Sequence, residues 1–296
     1  MISRPRRSAL YMPGSNARAL EKAKSLAADT LLLDLEDSVA PDAKAMAGDQ
    51  VATALADGGY GGREIAVRIN GVDSTWFADD ISMIAQAKPD GVLIPKAESA
   101  ADISSVRAAL TSAGAAPGTQ LWAMIETPRA ILNVAEIAAA AQHDRAYPLV
   151  CFVIGPNDLV KETRAVLDRD RTAALYWLSA TITAARAFGI DVLDGVYNAH
   201  KDLDGFAYEC RHGRSLGMDG KSLIHPGQID IANRVFAPTD EDVAWARKVI
   251  AAFEDPTNAG KGVISLDGTM VELLHLEMAR RTAAVAGAIA EREANT

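Results

Sequence analysis

Two acidic side chains follow two apolar runs that neighbour each other along the chain. Glu126 comes directly after the run at residues 121–125, and Asp158 follows the run at residues 150–154. A single carboxylate just past a buried strand is most often a helix cap or a loop charge. Two such carboxylates on successive strands of a parallel sheet converge at one edge, and carboxylate oxygens are the ligands that Mg2+ prefers. The pair therefore predicts a divalent-cation site.

The elements that would position these carboxylates can be identified from the alternation of short apolar runs with longer amphipathic stretches. We predict eight strands, over residues 8–12, 30–35, 64–69, 91–95, 121–125, 149–154, 191–196 and 221–224. Helical patterns lie between them, over residues 16–28, 42–56, 75–87, 100–112, 128–141, 164–188 and 203–216. Eight strand–helix units predict a parallel sheet that closes as a (β/α)8 TIM barrel. An open doubly wound sheet is the alternative, but no GxGxxG motif follows the first strand.

The C-terminal part of the chain exceeds what a barrel needs. Residues 240–253 have a helical pattern, residues 254–262 form a linker rich in helix breakers, and residues 271–292 predict a final helix after a short turn-containing segment. We therefore divide the chain into a catalytic barrel of residues 1–236 and a C-terminal helical extension of residues 237–296. Such an extension can cover its own barrel, pack on a neighbouring subunit as a lid, or decorate the surface.

Polar and ionisable residues are concentrated at the predicted carboxyl ends of the strands. In a TIM barrel, the active site lies at that end of the sheet. The opposite strand ends carry mostly Gly, Ala, Thr and loop residues. This asymmetry predicts an active site built from Asp34, Glu36, Asp37, Arg68, Asn70, Lys96, Glu126, Asn157, Asp158, Asn198 and His225.

Charged residues on the second and third strands leave two interpretations open. Asp34 and Glu36 share one face of a strand, and two inward carboxylates are costly unless they are solvated, paired or bound to a metal. They are either part of the site or a salt-bridged pair that caps the next helix, while Asp37 is a cap or a supporting residue. Arg68 suits bidentate binding of a substrate carboxylate, and its alternative role is a salt bridge to Asp34 or Glu36.

Lys96 and His225 also follow strands. Lys96 could form a Schiff base, but nothing around it in the sequence would lower its pKa, so we predict a structural ion pair. His225 could act in acid–base chemistry, but we predict a hydrogen bond within its loop. No GxSxG motif is present, so a hydrolase triad is not supported.

Composition excludes several classes of function. The 296-residue chain carries a net charge of −9 with a pI of about 5.1, and it has no prominent basic patch, so we expect no nucleic-acid partner. No apolar segment follows the basic N-terminus as in a signal peptide, and no run is long enough for a membrane span. The two cysteines, Cys151 and Cys210, form no metal-binding pattern. We therefore expect a cytoplasmic protein.

Seven segments, taken together, resemble the citrate lyase β-subunit-like CoA-ester lyases of the HpcH/HpaI aldolase family. They are RSAL with PG at residues 7–14, LDLEDSV at 33–39, VRIN at 67–70, IPKAES at 94–99, IET at 125–127, GPNDL at 155–159 and GKSLIHPGQ at 220–228. Each segment alone is weak, but they occur in the family's order over nearly the whole chain. The group includes malyl-CoA, β-methylmalyl-CoA and citramalyl-CoA lyases.

The resemblance implies a set of roles for these residues. Glu126 and Asp158 would hold Mg2+, or Mn2+ in its place, and Arg68 with Glu126 would bind the acid end of the substrate. Glu36 and Asp37 would lie near the metal waters as catalytic residues, and the CoA thioester would bind around the loop after the first strand. Members are commonly homotrimers or hexamers in which the C-terminal segment covers a neighbour's site.

Two positions depart from the family pattern. Many of these lyases carry a catalytic Asp after a Gly-x-Met segment, whereas here Gly268-Thr-Met270-Val271 precedes Glu272. The carboxylate is kept with one more methylene, so Glu272 is the candidate acid or base from a neighbouring chain. Pro156 stands where a small hydroxyl residue is usual, which rigidifies that loop and should affect the metal little.

The resemblance thus implies a Mg2+-dependent carbon–carbon lyase. It would cleave malyl-CoA or citramalyl-CoA into acetyl-CoA and glyoxylate or pyruvate by a reversible Claisen mechanism. A malyl-CoA thioesterase on the same scaffold is the first alternative. The β-subunit of citrate lyase, acting on a carrier-bound citryl group, is the second, and a barrel that binds metal and acyl-CoA without turnover is the third.

Overall fold

The structure is a computed structural model that describes residues 4–142 and 144–294. The chain divides into two compact units. One consists of residues 6–236, and the other joins residues 4–5 to residues 237–294. His143, for which the sequence suggested a surface or core position, lies outside the described residues.

Eight parallel strands close into a barrel in the first unit. They are β1 (Ser8–Pro13), β2 (Thr30–Asp34), β3 (Glu64–Arg68), β4 (Gly91–Ile94), β5 (Gln120–Ile125), β6 (Leu149–Ile154), β7 (Asp191–Asp194) and β8 (Gly220–Leu223). Each strand pairs with the next in sequence, and β8 pairs with β1 in the register Ser8 to Lys221. The predicted TIM barrel is confirmed, and the open sheet is excluded.

Helices connect the strands and cover the outside of the barrel. They are α1 (Ala17–Ala23), α2 (Lys44–Asp57), α3 (Phe77–Ala87), α4 (Ala100–Ser112), α5 (Pro128–Ala139), α6 (Pro156–Thr163), α7 (Leu175–Ala187), α8 (Leu203–Leu216) and α9 (Ile229–Phe236). Strand side chains alternate between two apolar layers. The inner layer fills the barrel with Ala9, Leu32, Ala66, Leu93, Trp122, Met124, Cys151, Val153 and Leu193, and the larger outer layer packs against the helices.

The predicted helix over residues 164–188 is wrong in its first half. A separate helix, α6, already ends at Thr163 and is followed by Arg164, whose φ of 59° is left-handed, and α7 begins only at Leu175. The Asp168 carboxylate accepts hydrogen bonds from the backbone N–H and the hydroxyl of Thr172, which stabilises a turn instead of a helix. The resulting loop carries Arg171 to a buried carboxylate.

The N-terminal end of the barrel is more charged than predicted. Arg6 donates to Glu64 at 2.7 and 2.8 Å and to Asp191 at 2.7 Å, and its guanidinium lies 4.8 Å from the centre of the Trp122 ring. Arg7 is paired with the buried Asp29 in the same region. The expected asymmetry between the two ends was therefore overstated, because ion pairs that close the bottom of the barrel also need charged residues.

The second unit contains two helices and a hairpin. Helix α10 (Asp240–Glu254) precedes the antiparallel strands β9 (Val263–Leu266) and β10 (Thr269–Glu272), and α11 (Leu273–Ala294) follows. Asp267 and Gly268 adopt positive φ at the turn, as an Asp-Gly hairpin requires. The unit has its own apolar core, and the C-terminal helical extension is confirmed. No helix among the residues described has the length and apolarity to span a membrane.

A buried charge network lies between the barrel and its outer helices. The ammonium of Lys221 is fully buried and contacts Asp194 at 3.0 Å and Glu209 at 2.7 Å. Arg171 donates to both carboxylate oxygens of Asp194, at 2.7 and 2.9 Å. Burial alone would lower the pKa of Lys221, but the two carboxylates outweigh it and raise the pKa. Lys221 therefore remains protonated despite its burial.

We predict that Lys221→Met destabilises the barrel by roughly 3–5 kcal/mol, because it removes one of the two cations that neutralise Asp194 and Glu209 and leaves only Arg171. The free energy of unfolding from urea denaturation measures this. Lys248→Met is the matched control, since Lys248 pairs with Asp267 at 3.0 Å on an exposed surface, and a loss below about 1 kcal/mol is expected. Equal losses in the two variants would contradict the structural role of the buried pair.

Candidate active site

A cavity of about 300 Å3 opens at the carboxyl ends of the strands, and we call it the mouth cavity. Its lining comes from the barrel unit. Of the predicted site residues, it brings together Asp34, Asp37, Arg68, Glu126, Asn157, Asp158 and Asn198. The strand-end carboxylates therefore converge on one cavity, as predicted.

Glu126 follows β5 and is almost fully buried. Its Oε1 accepts a hydrogen bond from the backbone N–H of Lys96 at 2.7 Å. Its Oε2 lies beside Gly155, where a Cβ atom would come within 2.6 Å of that oxygen and 2.4 Å of the Glu126 Cβ. Burial raises the pKa of Glu126 to about 7, while the Lys96 N–H opposes that rise. A bound cation would stabilise the charged form of this buried carboxylate.

Lys96 supports Glu126 through an unusual backbone conformation. Its φ is 47°, in the left-handed region that a residue with a side chain adopts only when its surroundings require it. Its ammonium lies 2.9 Å from Glu36 Oε1. Partial burial alone would lower the pKa of Lys96, but the hydrogen bond and charge of Glu36 raise it. The predicted ion pair is confirmed, and a raised pKa does not suit a Schiff-base lysine.

Asp158 reaches the cavity from the first turn of α6. That helix begins with Pro156 after Gly155, so Asp158 is its third residue and stands near the positive end of the helix dipole. It is half-buried and lines the mouth cavity with Glu126. Two successive strands therefore deliver one carboxylate each to the same cavity.

Arg68 ends β3 and is buried within a group of partners. Its Nε and Nη2 atoms donate to the two oxygens of Asp34, each at 2.6 Å, and its Nη1 lies 2.9 Å from Glu36 Oε2. The Tyr11 ring lies 4.9 Å from the guanidinium carbon. The salt-bridge alternative is confirmed for both carboxylates. Arg68 also lines the cavity, so its predicted role in substrate binding stays a prediction.

Glu36 and Asp37 differ in their surroundings. Glu36 is buried and bridges Arg68 and Lys96, so it acts here as a paired carboxylate. The Asp37 side chain is 59% exposed, lies 3.8 Å from Arg68 Nη1 and lines the cavity. Burial opposes ionisation of Asp34, but the Arg68 guanidinium lowers the pKa of that carboxyl below its ordinary value. The catalytic roles of Glu36 and Asp37 stay predictions.

Two supporting residues were missed from the sequence. Lys44, the first residue of α2, donates to the carbonyls of Leu35 and Glu36 at 2.8 and 2.7 Å and thereby fixes the loop that carries Glu36. Tyr11, in β1, is placed against Arg68 by strand alternation, and burial raises the pKa of its phenol, which stays neutral. A helical lysine and a strand tyrosine carry no signal that separates them from ordinary packing residues.

His225 has the loop hydrogen bond that was predicted for it. Its Nδ1 accepts from the backbone N–H of Gly227 at 3.1 Å. The ring stacks on His200 with a centroid distance of 4.9 Å. It is not among the residues that line the mouth cavity.

The side chains of the mouth cavity fit Mg2+ with partial protein coordination. Across residues 4–142 and 144–294, no three His, Cys, Asp or Glu residues cluster so as to hold a metal by themselves. Glu126 and Asp158 would supply two carboxylates to such an ion and leave the remaining positions to substrate and water, which is the usual arrangement for Mg2+. The carboxylate oxygens, and the close packing of Glu126 on Gly155, are compatible with such an ion.

Glu272 belongs to the C-terminal unit. It is the last residue of β10, it is partly exposed, and its backbone N–H donates to His275 Nδ1 at 2.9 Å. Within that unit the apolar side chains of Val263, Met270, Leu273, Leu274 and Met278 are also exposed. The geometry of the second unit thus leaves the Glu272 carboxylate accessible.

With this fold and site, the chain belongs to the HpcH/HpaI aldolase/citrate lyase family, whose sequence pattern matches residues 7–226. It is 48% identical over 286 residues to a (3S)-malyl-CoA thioesterase of Cereibacter sphaeroides, covering 97% of this chain and 96% of that protein. It is 36% identical over 283 residues to the citrate lyase subunit beta of Escherichia coli, covering 94% and 92%. The crystal structure of CitE from Mycobacterium tuberculosis with magnesium, acetoacetate and coenzyme A is 30% identical, with a TM-score of 0.74 over 96% and 98% of the two chains.

We predict that Glu126 makes the stability of the metal-free protein depend on pH. Because the pKa is about 7 in the folded chain and 4.5 ordinarily, the folded state binds more protons between these values, so stability falls as pH rises through that range. The contribution is up to about 3 kcal/mol, and Glu126→Gln should remove it. Urea denaturation in chelator at several pH values measures this. Glu162→Gln, an exposed glutamate of α6, should leave the pH profile as in the wild type; an unchanged profile in Glu126→Gln would contradict the prediction.

Proposed function

We propose that the protein is a Mg2+-dependent enzyme that acts on the acyl group of a 3-hydroxyacyl-CoA thioester such as (3S)-malyl-CoA. The observation that carries this proposal is the 48% identity, over nearly the full chain, to a protein named for that substrate. The mouth cavity supports it, because it combines two carboxylates with a guanidinium that suits a dicarboxylic substrate.

In this proposal, Glu126 and Asp158 hold the ion, with Mn2+ as a substitute. When bound, Mg2+ supplies Lewis-acid polarisation and orients the hydroxy acid. Arg68 Nη1 lies 2.9 Å from Glu36 Oε2 and would be shared between Glu36 and a substrate carboxylate, while the other two nitrogens remain fixed by Asp34. Because Asp34 holds the guanidinium in place, little reorganisation is needed when the substrate binds.

The reaction we propose first is hydrolysis of the thioester, to give free malate and CoA. Water supplies the oxygen that bonds to the thioester carbon, the carbon–sulfur bond breaks, and the CoA sulfur leaves and takes up a proton. A carboxylate must accept the proton of the water, and Glu272 has the required chemistry. This reaction follows from the name of the C. sphaeroides relative.

Carbon–carbon cleavage is the second candidate. It is supported by the 36% identity to the citrate lyase subunit beta and by the family to which the chain belongs. A base would take the hydroxyl proton, the bond between the two carbons would break, and the acyl-CoA enolate would accept a proton from Glu272. The products would be acetyl-CoA with glyoxylate from malyl-CoA, or with pyruvate from citramalyl-CoA.

We further propose that Glu272 acts from a second copy of the chain in a homo-oligomer, a trimer or a hexamer. The support is the partial exposure of Glu272 and the exposed apolar side chains beside it, Met270, Leu273, Leu274 and Met278. Exposed apolar side chains of this number on one small unit favour burial against a protein surface. Glu36 and Asp37 would then position water and substrate, with Asp37 the exposed member at the mouth.

The deciding experiment incubates purified protein with Mg2+ and (S)-malyl-CoA and follows glyoxylate, malate and free thiol in parallel. Thiol with malate and no glyoxylate supports hydrolysis, and glyoxylate without thiol supports the lyase. Glyoxylate together with thiol indicates cleavage followed by hydrolysis of acetyl-CoA. If no product forms, citramalyl-CoA and then a carrier-bound citryl group are tested; failure of all three substrates overturns the proposal.

We predict that Glu126→Gln and Asp158→Asn each lower Mg2+-dependent turnover by roughly 100-fold or more while the fold is kept. Each substitution removes one of the two charged oxygen ligands without changing side-chain size. Steady-state rates and Mg2+ titration measure the effect, and circular dichroism checks the fold. Activity like that of the wild type in either variant would exclude that residue as a metal ligand; Glu162→Gln serves as the control.

We predict that Glu272→Gln is inactive alone but is rescued by a second inactive variant. When Glu272→Gln is co-expressed with Glu126→Gln, some sites combine an intact Glu126 with an intact Glu272 from another copy. Activity should then return to a fraction of the wild-type rate, and each variant expressed alone is the control. If mixed assemblies form but remain inactive, Glu272 does not act across copies.

A further inference from the structure

A second cavity of about 460 Å3 lies beside the mouth cavity, and we call it the side cavity. Its lining residues come from β6, β7, α6, α7, α8 and the segments over residues 165–174 and 196–198. Its walls are mainly apolar, with contributions from Val160, Leu167, Ala174, Trp177 and Leu178. The volume falls in the range of about 300–1,000 Å3 that small-molecule sites occupy.

The two cavities share a wall. Five residues line both of them: Ile154, Pro156, Asn157, Val196 and Asn198. The amide of Asn198 donates to Asn157 Oδ1 at 2.7 Å and so links the loop after β7 to the first turn of α6. Asn157 directly precedes Asp158, so a molecule held by Asp158 lies next to this wall.

Of the five shared residues, Asn157 and Asn198 are the two with polar side chains, and both are exposed. Near them, Gly195 packs closely on Pro156 and Ile154, because a Cβ atom on Gly195 would lie 2.3 Å from Pro156 Cδ and 2.8 Å from the Ile154 carbonyl oxygen. The single hydrogen bond between the asparagines is worth only about 1 kcal/mol when water can replace it, so we expect this part of the wall to rearrange most readily.

The polar groups of the side cavity are already occupied. Arg171 is paired with Asp194, Glu209 is paired with Lys221, and the Tyr197 hydroxyl donates to Asp202 at 2.7 Å. A charged ligand group would have to break one of these contacts. An uncharged aliphatic group gains from the apolar walls without breaking any of them.

We infer that the side cavity binds the aliphatic side chain of a 2-oxo or 2-hydroxy acid whose carboxylate is held in the mouth cavity. The enzyme would then accept acids with chains longer than the methyl group of pyruvate. This inference rests on the proposed function, since it requires the acid group to lie at Glu126, Asp158 and Arg68. The cavity far exceeds the space that one methyl group occupies, so chains of several carbons fit.

The test measures binding of a homologous series to the full chain with saturating Mg2+ by isothermal titration calorimetry. The probes are glyoxylate, pyruvate, 2-oxobutyrate, 2-oxopentanoate and 2-oxohexanoate. From 2-oxobutyrate onward, affinity should rise by up to roughly fourfold with each methylene that enters the apolar cavity. If glyoxylate and pyruvate bind but affinity falls with chain length, the side-cavity inference is overturned while the proposed function stands. If no member binds, the side-cavity inference is likewise overturned, and turnover of (S)-malyl-CoA then decides whether the proposed function stands.

A variant that fills the side cavity tests whether the aliphatic chain binds there or at another apolar site. Ala174 is buried and lines the cavity, so Ala174→Leu should lower the affinity for 2-oxohexanoate at least tenfold and leave that for glyoxylate unchanged. Ala173→Leu, at the exposed neighbouring position, is the matched control. Leu167→Trp, in the loop, is a second filling variant in case Ala174→Leu does not fold. Undiminished binding of 2-oxohexanoate in a folded filling variant would contradict the inference.

Discussion

The candidate site depends on one buried ion-pair chain that crosses three neighbouring strands. Asp34 at the end of β2 fixes Arg68 at the end of β3, Arg68 contacts Glu36, and Glu36 holds Lys96 after β4. The backbone of Lys96 then donates to Glu126 after β5. Each link satisfies a charge or dipole that would be costly to leave unpaired in the barrel. The position of Glu126 is therefore set by contacts that begin three strands away.

The same chain explains why the pKa values of Asp34 and Glu126 shift in opposite directions, although burial alone would raise both. Asp34 receives both arms of a guanidinium, and its pKa is lowered despite burial. Glu126 accepts one hydrogen bond from a backbone N–H and has no ion pair with a cationic side chain among the described residues, and its pKa is raised. The two carboxylates therefore differ in character. Asp34 is an ionised partner of Arg68, whereas the charged form of Glu126 would be stabilised most by an added cation.

Much of this arrangement could be predicted from the sequence, because strand alternation and strand order are local signals. Eight apolar runs predicted the barrel, and the residues at or just past the ends of these runs included Arg68, Glu126 and Asp158. The partner of each charge could not be predicted, because pairing depends on rotamers and on loops whose path is not periodic. Arg171 shows this: a helical pattern ran through it, yet the Asp168 turn breaks the helix and delivers Arg171 to Asp194. Lys44 was missed because its contacts are to backbone carbonyls.

The mouth cavity and the role proposed for Glu272 concern different parts of the chemistry. The mouth cavity supplies charge that is fixed in place, so it suits binding and polarisation of an acid group irrespective of which bond breaks. The choice between hydrolysis and carbon–carbon cleavage depends on what reaches the acyl carbon, a water or a proton donor, and therefore on how well water is excluded. If Glu272 acts as we propose, it would be the group that separates the two reactions, because it would accept a proton from water in one and donate a proton to the enolate in the other. A fixed acid site combined with a separate acid–base group could then support both reactions with few substitutions, and the names of the two relatives, a thioesterase and a citrate lyase subunit, differ in this respect.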